Sequence, residues 1–243
     1  MTATVERGWR SGVAVAAAIL AAFGAMGLTW AVFATSPLSG YVSEAGVPGA
    51  PQSLLYRGSI LAVAASMGLL AYALRFDGAY VLLSPAALLG TAAPLAALSG
   101  AVPCSSGCPL PPYETPTTGD LVHATASALA LAFAALAMLL LAARPAAGHQ
   151  HVVAASRIGA IVTVPLLALA GLAMLSIGRG LVTGVIERAA LLAALSWLVT
   201  VALLVHQNGR RDRSPAGGGA GPADRGERPA DLVRRTEPTA RGR

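Results

Sequence analysis

Six long apolar stretches, separated by short polar segments, dominate the chain. They run through Ser11–Phe33, Ser53–Leu74, Ala79–Gly100, Gly119–Ala143, Ala155–Gly178 and Val185–His206. A helix needs about 20 apolar residues to cross the hydrocarbon core of a bilayer, and each stretch reaches that length. None shows the strict alternation of apolar and polar residues that is typical of barrel strands. The pattern therefore predicts an all-α protein, a bundle of six transmembrane helices.

The composition agrees with this pattern and narrows the class of protein. Of the 243 residues, 55% are hydrophobic and only 12% are charged, whereas a soluble domain carries about 25% charged residues. So little charge cannot cover a water-exposed surface, which excludes an ordinary soluble enzyme. We predict a multi-pass protein of the cell membrane whose first partner is the lipid bilayer, with no nucleic acid as a partner. The oligomeric state has no signature in the sequence.

The arginines predict the orientation of the bundle, because basic residues concentrate on the cytoplasmic side of membrane proteins. All 17 basic residues are arginines. If the N-terminus is cytoplasmic, Arg57, Arg179 and Arg188 alone fall outside among those that flank the six stretches. The inner set is Arg7, Arg10, Arg75, Arg144, Arg157, Arg210, Arg211 and Arg213. Both termini are therefore predicted to be cytoplasmic.

The end of the chain has a different character from the rest. Residues 207–243 hold nine arginines and five acidic residues, with many glycines and prolines and few apolar side chains. Such a segment cannot bury enough apolar surface to fold. We predict two regions: a transmembrane domain at residues 1–206 and a disordered, Arg-rich cytoplasmic tail at residues 207–243.

Two cysteines lie in the polar segment between the third and fourth predicted helices, in the run PCSSGCPLPPYETPTT. On the predicted topology Cys104 and Cys108 face the exterior, where disulfides persist, and Gly107 between them permits a tight turn. We predict a disulfide that fixes the shape of this loop. The alternative is a metal site formed by Cys104, Cys108 and His123, which lacks the second pair of ligands usual for zinc. We therefore predict neither a resident metal nor a cofactor.

Five polar residues are predicted to lie at one membrane depth on the outer side: Arg57, Asp120, His123, Glu187 and Arg188. Ionisable side chains at such positions usually face the interior of a bundle and find partners there. Arg57 is the natural ion-pair partner for Glu187 or Asp120. Asp120 and His123 are three residues apart, on one helical face, as a proton-handling or ligand-binding pair would be. The alternative for all five is structural: a helix cap and ion pairs that lock the bundle.

Several short motifs lie at the ends of the predicted helices. They are YRGS at 56–59, PCSSGCP at 103–109, DLVH at 120–123, SR at 156–157 and GVIER at 184–188, followed by Trp197. Over residues 11–206 the chain resembles the bacterial six-helix membrane family known as domain of unknown function 998, of the type common in actinobacteria. The resemblance implies the six-helix topology and does not imply an activity.

Three functions remain open at this stage. The first is a non-catalytic binding or accessory protein, with an outer-facing polar pocket for a lipid, a small ligand or a partner protein. The second is a small transporter or proton-coupled permease, for which prolines in the third stretch hint at a broken helix. The third is a membrane-embedded hydrolase in which Asp120 and His123 handle protons. We favour the first and assign no catalytic residue, so an enzyme is the less favoured class.

Overall fold

The computed structural model describes residues 2–35, 37–75, 84–145 and 149–211, with the backbone alone for residues 2–7. The chain divides into two units, Met1–Arg213 and Ser214–Arg243. Three predictions concern residues outside the described ranges: the first part of the third apolar stretch, the loop after Arg75, and the tail from residue 212.

Six α-helices and one short 3₁₀ helix make up the regular structure of the described residues. The α-helices are α1 (Thr2–Thr35), α2 (Ser53–Ala73), α3 (Pro85–Ala101), α4 (Thr118–Ala142), α5 (Gln150–Ser176) and α6 (Leu181–Arg211), and the 3₁₀ helix is η1 (Val42–Gly46). All the α-helices except α3 are long and apolar enough to cross a membrane. The prediction of an all-α, six-helix membrane bundle is confirmed.

The ends of the helices differ from the predicted stretches where local chemistry overrides hydropathy. Ser84 caps α3, because its hydroxyl accepts a hydrogen bond from the amide of Ala87, and Pro85 occupies the first helical turn rather than lying inside a span. Pro94 lies within a continuous α3. Helix α6 begins at Leu181 and continues through Arg211, so the first residues of the predicted tail are helical.

The helices form a ring in chain order. Each helix packs against its neighbours in sequence, and α6 closes the ring by packing against α1. The connections alternate between the two ends of the bundle. We call the end where α1 ends and α2 begins the cap end, and the opposite one the tail end.

Small residues allow the first two helices to approach closely. A β-carbon at Gly24 would lie 2.7 Å from Val63 Cγ2 and 2.9 Å from the carbonyl oxygen of Ser59. One turn further along α1, Gly27 lies against the side chain of Ser59, which again leaves no room for a β-carbon. Ser66 adds a buried hydrogen bond of 2.8 Å to the carbonyl of Ala17. Close backbone approach and interhelical hydrogen bonds are what hold helices together inside a bilayer.

Polar contacts between neighbouring helices stabilise the tail end. His206 at the end of α6 meets Ser11 near the start of α1, with 3.0 Å between the imidazole Nδ1 and the hydroxyl oxygen. Arg157 in α5 donates from Nε to the carbonyl of Ala142 at the end of α4, at 2.9 Å. Arg157 thus satisfies a carbonyl that the end of α4 would leave without a partner.

The packing of α5 against α6 gives a direct test of this fold. Gly159 lies against the ring of Trp197, where a β-carbon would be 2.6 Å from Cδ1, and Trp197 donates to Ser156 at 3.2 Å. We expect Gly159→Ala to lower the free energy of unfolding by about 1–3 kcal/mol through overpacking. Thermal unfolding of detergent-solubilised protein, followed by tryptophan fluorescence, measures this.

The matched control is Gly171→Ala in the same helix. No atom lies within 4 Å of a β-carbon there, so the substitution should leave stability unchanged or raise it by up to about 1 kcal/mol through helix propensity. Equal melting temperatures for the two variants would contradict the packing described for Gly159.

Candidate functional site at the cap end

All five predicted site residues lie at the cap end. Arg57 is in the first turns of α2, Asp120 and His123 are in the first turns of α4, and Glu187 and Arg188 are near the start of α6. Three segments of chain cover this end. They are residues 37–52, 102–117 and 177–180, and we call them together the cap. The polar groups of all five residues bind the cap or the helix ends beneath it.

Asp120 is the most completely bonded of the five. It is 2% exposed. Its Oδ1 accepts a hydrogen bond from the amide of Ser105 at 2.6 Å, and its Oδ2 accepts from the Ser105 hydroxyl at 2.9 Å. Oδ2 also accepts from the amide and hydroxyl of Thr117, at 2.8 and 2.7 Å. Thr117 and Asp120 thereby form a capping box at the start of α4. The carboxylate joins this helix to the Cys104–Cys108 loop.

His123 lies one turn deeper and binds the end of α3. Its Nδ1 is 2.9 Å from the carbonyl oxygens of both Ser99 and Val102. Because both partners are acceptors, Nδ1 must carry the proton. Ser99 also shares a hydrogen bond of 2.6 Å with the hydroxyl of Ser127. Within the described chain no hydrogen bond joins Asp120 to His123, so the expected pair is two separate anchors on one helix face.

The predicted ion pair of Arg57 is wrong. Arg57 donates from Nε to the carbonyl of Gly100 at 3.0 Å and from Nη2 to the carbonyl of Ala101 at 2.9 Å. In the described part of the chain, no salt bridge joins it to Asp120 or Glu187. The physical reason is that the last turn of α3 presents carbonyls without helical partners, and a cation is favourable at that end of a helix dipole.

Glu187 and Arg188 bind the segment that leaves α1. Glu187 accepts a hydrogen bond of 2.9 Å from the amide of Val42. Arg188 is 6% exposed. Its Nη1 donates to the carbonyls of Gly40 and Gly184 at 3.0 and 2.9 Å, and its Nη2 to the carbonyl of Pro37 at 2.9 Å. The two neighbouring side chains therefore hold opposite ends of residues 37–42.

The Cys104–Cys108 loop is closed by the predicted disulfide, with the two α-carbons 5.1 Å apart. Both cysteines are buried in a small apolar cluster with Tyr41, separate from the main core. Paired cysteines offer no thiolate, so the alternative of a metal held by Cys104, Cys108 and His123 is not supported by the donor set. Among the described residues, no group of three or more His, Cys, Asp or Glu side chains is placed to share an ion.

Arg179 connects the three segments of the cap, and the sequence did not single it out. Its Nε lies 3.4 Å from Glu44 Oε1 and its Nη2 lies 3.9 Å from Glu114 Oε1. It also donates to the carbonyl of Gly107 and lies 5.9 Å from the centre of the Tyr41 ring. Arg179 was the third arginine predicted outside. The two long outer segments contain the acidic residues Glu44 and Glu114, so a list of acidic residues on that side would have indicated the ion pairs of Arg179.

Tyr41 lies at the centre of these charges. Its side chain is buried beneath Arg179. Burial raises the pKa of the Tyr41 phenol, and the nearby carboxylates of Glu114 and Glu187 raise the pKa further, while Arg179 lowers it. The phenol therefore stays neutral at any physiological pH. It serves the cap as an apolar ring with a polar edge rather than as a proton carrier.

Comparison with known proteins assigns the chain to a family. The family described as Protein of unknown function (DUF998) matches residues 13–204. The chain belongs to this family. The match spans all six helices, which confirms the resemblance noted from the motifs. No curated protein and no solved structure matches the chain.

Proposed function

We propose that this DUF998 protein is a non-catalytic binding or accessory protein of the cell membrane, which recognises a partner through the cap. The single observation that carries the proposal is the use made of the five polar residues. All five bind backbone groups of the cap or of the helix ends below it. The charged side chains at this end therefore fix the backbone of an outer surface.

The orientation that this proposal needs places the cap outside the cell. The distribution of arginines supports it, because Arg75, Arg144, Arg157, Arg210 and Arg211 lie at or towards the tail end. The disulfide of the cap supports it independently, because disulfides persist on the oxidising side of the membrane. Both termini are then cytoplasmic.

The surface of the cap favours a macromolecular partner over a lipid. Residues 111–115, Pro-Pro-Tyr-Glu-Thr, are all exposed on the α3–α4 loop. The loop is held from below, because Tyr113 donates from its hydroxyl to the carbonyl of Leu175 at 3.2 Å and Arg179 meets Glu114. A held, exposed loop loses little entropy on binding, which favours recognition. The permease and hydrolase alternatives gain no comparable observation from the described residues.

The test is site-specific photo-crosslinking of the full chain in its native membrane. A photoreactive p-benzoylphenylalanine at Thr115, which is exposed on the cap, should give adducts of discrete mass. The same group at Leu129, which is 43% exposed in the middle of α4, is the control for lipid contact and should not give them. Arg179→Gln, which removes the ion pairs of the cap, should reduce adduct formation at Thr115 by several fold.

The outcomes separate the possibilities. Protein-sized adducts at Thr115 that are absent at Leu129 support the proposal. No adduct at Thr115, the same adducts at both positions, or adducts of lipid mass alone would each refute a partner bound by the cap.

A further inference from the structure

The exposed face of α1 carries a stripe of large apolar side chains. Ile19, Phe23, Met26, Trp30 and Phe33 are 63%, 55%, 68%, 67% and 61% exposed. Between them lie residues that pack into the bundle, such as Ala21, Leu28 and Ala31, which are buried. The stripe is therefore a single continuous face on the outside of the ring.

The spacing of the stripe is that of a coiled coil. Successive members are four, three, four and three residues apart, which is the heptad pattern of a helix that pairs with another helix. Met26, Thr29, Trp30 and Phe33 occupy positions i, i+3, i+4 and i+7, the four that form the hole for a knob from a facing helix. These four residues, with Ala25, line a shallow, open depression on the surface of the helix, with a volume of about 490 Å³.

The chemistry of the stripe differs from that of the other lipid-facing surfaces. Among the described residues, every exposed Phe, Trp and Met side chain lies on α1, whereas the large exposed apolar side chains of α2 to α6 are Leu, Ile, Val and Tyr. Aromatic residues and Met are enriched at protein interfaces, where Trp is also a frequent source of binding energy. Contact with lipid alone does not require the exposed Phe, Trp and Met side chains to be confined to one helix.

We propose that the stripe is a dimer interface at which α1 pairs in parallel with α1 of a second copy of this chain. Copies inserted in one bilayer share one orientation, so their α1 helices run in the same direction with the stripe at equal depth. A two-fold axis along the membrane normal then places Trp30 of each copy in the hole formed by Met26, Thr29, Trp30 and Phe33 of the other. The proposal is independent of the function proposed for the cap.

The size of the surface suits this occupant. Aromatic side chains bury about 150–250 Å² each, and Phe23, Trp30 and Phe33 are 55–67% exposed. Together with the exposed side chains of Ile19 and Met26 they supply roughly 500 Å² per copy. Two copies then bury about 1,000 Å², which is the area that a specific interface needs. In a bilayer, helices associate through close packing rather than through the hydrophobic effect. The rigid indole of Trp30 can pack more closely between the side chains of a facing helix than a mobile acyl chain can.

Cysteine crosslinking in liposomes at a low protein-to-lipid ratio tests the proposal on the full chain. Phe33→Cys places a thiol on the stripe, and Leu172→Cys on α5 is its control, since both wild-type side chains are 61% exposed. Under mild oxidation, Phe33→Cys should give a disulfide-linked dimer in most of the protein and Leu172→Cys only background. Wild-type protein, with its own cysteines paired, serves as the blank. Adding Trp30→Ala to Phe33→Cys should lower the dimer fraction by about ten-fold.

Each other result overturns the proposal. Background crosslinking for Phe33→Cys means that lipid covers the stripe, and equal crosslinking for both variants means random collision. If crosslinking in native membranes joins the stripe cysteine only to a different protein, that protein covers the stripe instead of a second copy. Ile19→Cys, further along the same stripe, repeats the measurement if Phe33→Cys does not elute as folded protein, and background crosslinking there is equally decisive.

Discussion

Asp120→Ala should lower the free energy of unfolding by about 3–5 kcal/mol, because four hydrogen-bond donors lose the one buried carboxylate that accepts from them all. The amides and hydroxyls of Ser105 and Thr117 all donate to this carboxylate. The substitution also removes the capping box of α4 and the anchor of the Cys104–Cys108 loop. We expect a large fall in the melting temperature of the detergent-solubilised protein, together with faster reduction of the disulfide by a small thiol.

Glu114→Gln is the control for this prediction. Glu114 lies in the same loop, is exposed, and meets Arg179 only at 3.9 Å. An exposed ion pair contributes about 0–1 kcal/mol, so the change in stability should be within that range. If Asp120→Ala and Glu114→Gln shift the melting temperature by similar amounts, the description of Asp120 as the main anchor of the loop is wrong.

Much of the fold was predictable because hydropathy is a local property of the chain. A helix overlaps each predicted apolar stretch, and motifs at the helix ends carried the resemblance that the family match confirmed. The exact ends were less predictable, since they depend on hydrogen bonding rather than on hydropathy. Helix α6 starts at Leu181, before the charged pair Glu187–Arg188. The hydropathy pattern placed its start at Val185, four residues later.

The contacts of the five polar residues were harder to predict than their positions along the chain. The sequence placed all five at one membrane depth, and in the structure they lie at the cap end. It suggested that charges would pair with charges, whereas Arg57 and Arg188 bind backbone carbonyls. Carbonyls are present at every residue and carry no sequence signature, so only the path of the chain shows which of them are left without helical partners.

The segment that leaves α1 gives the second prediction. Gly184 in α6 faces this segment, and a β-carbon there would contact the carbonyl oxygen of Leu38 and lie 2.9 Å from that of Gly40. Backbone oxygens cannot rotate away as a flexible side chain can, so residues 38–40 would have to move. Arg188 would then lose its bonds to the carbonyls of Pro37 and Gly40. We expect Gly184→Ala to cost about 3–5 kcal/mol of stability.

Hydrogen exchange measured by mass spectrometry distinguishes this mechanism from general destabilisation. In Gly184→Ala, amides of residues 38–46 should exchange faster at a temperature where the amides of α2 remain protected, because the anchored segment is released first. Gly180→Ala is the matched control one turn earlier, since no atom lies within 4 Å of a β-carbon there. It should leave both exchange and melting unchanged. Uniform faster exchange throughout the bundle in Gly184→Ala would show that the glycine supports general helix packing, and that Arg188 does not depend on it to hold the cap.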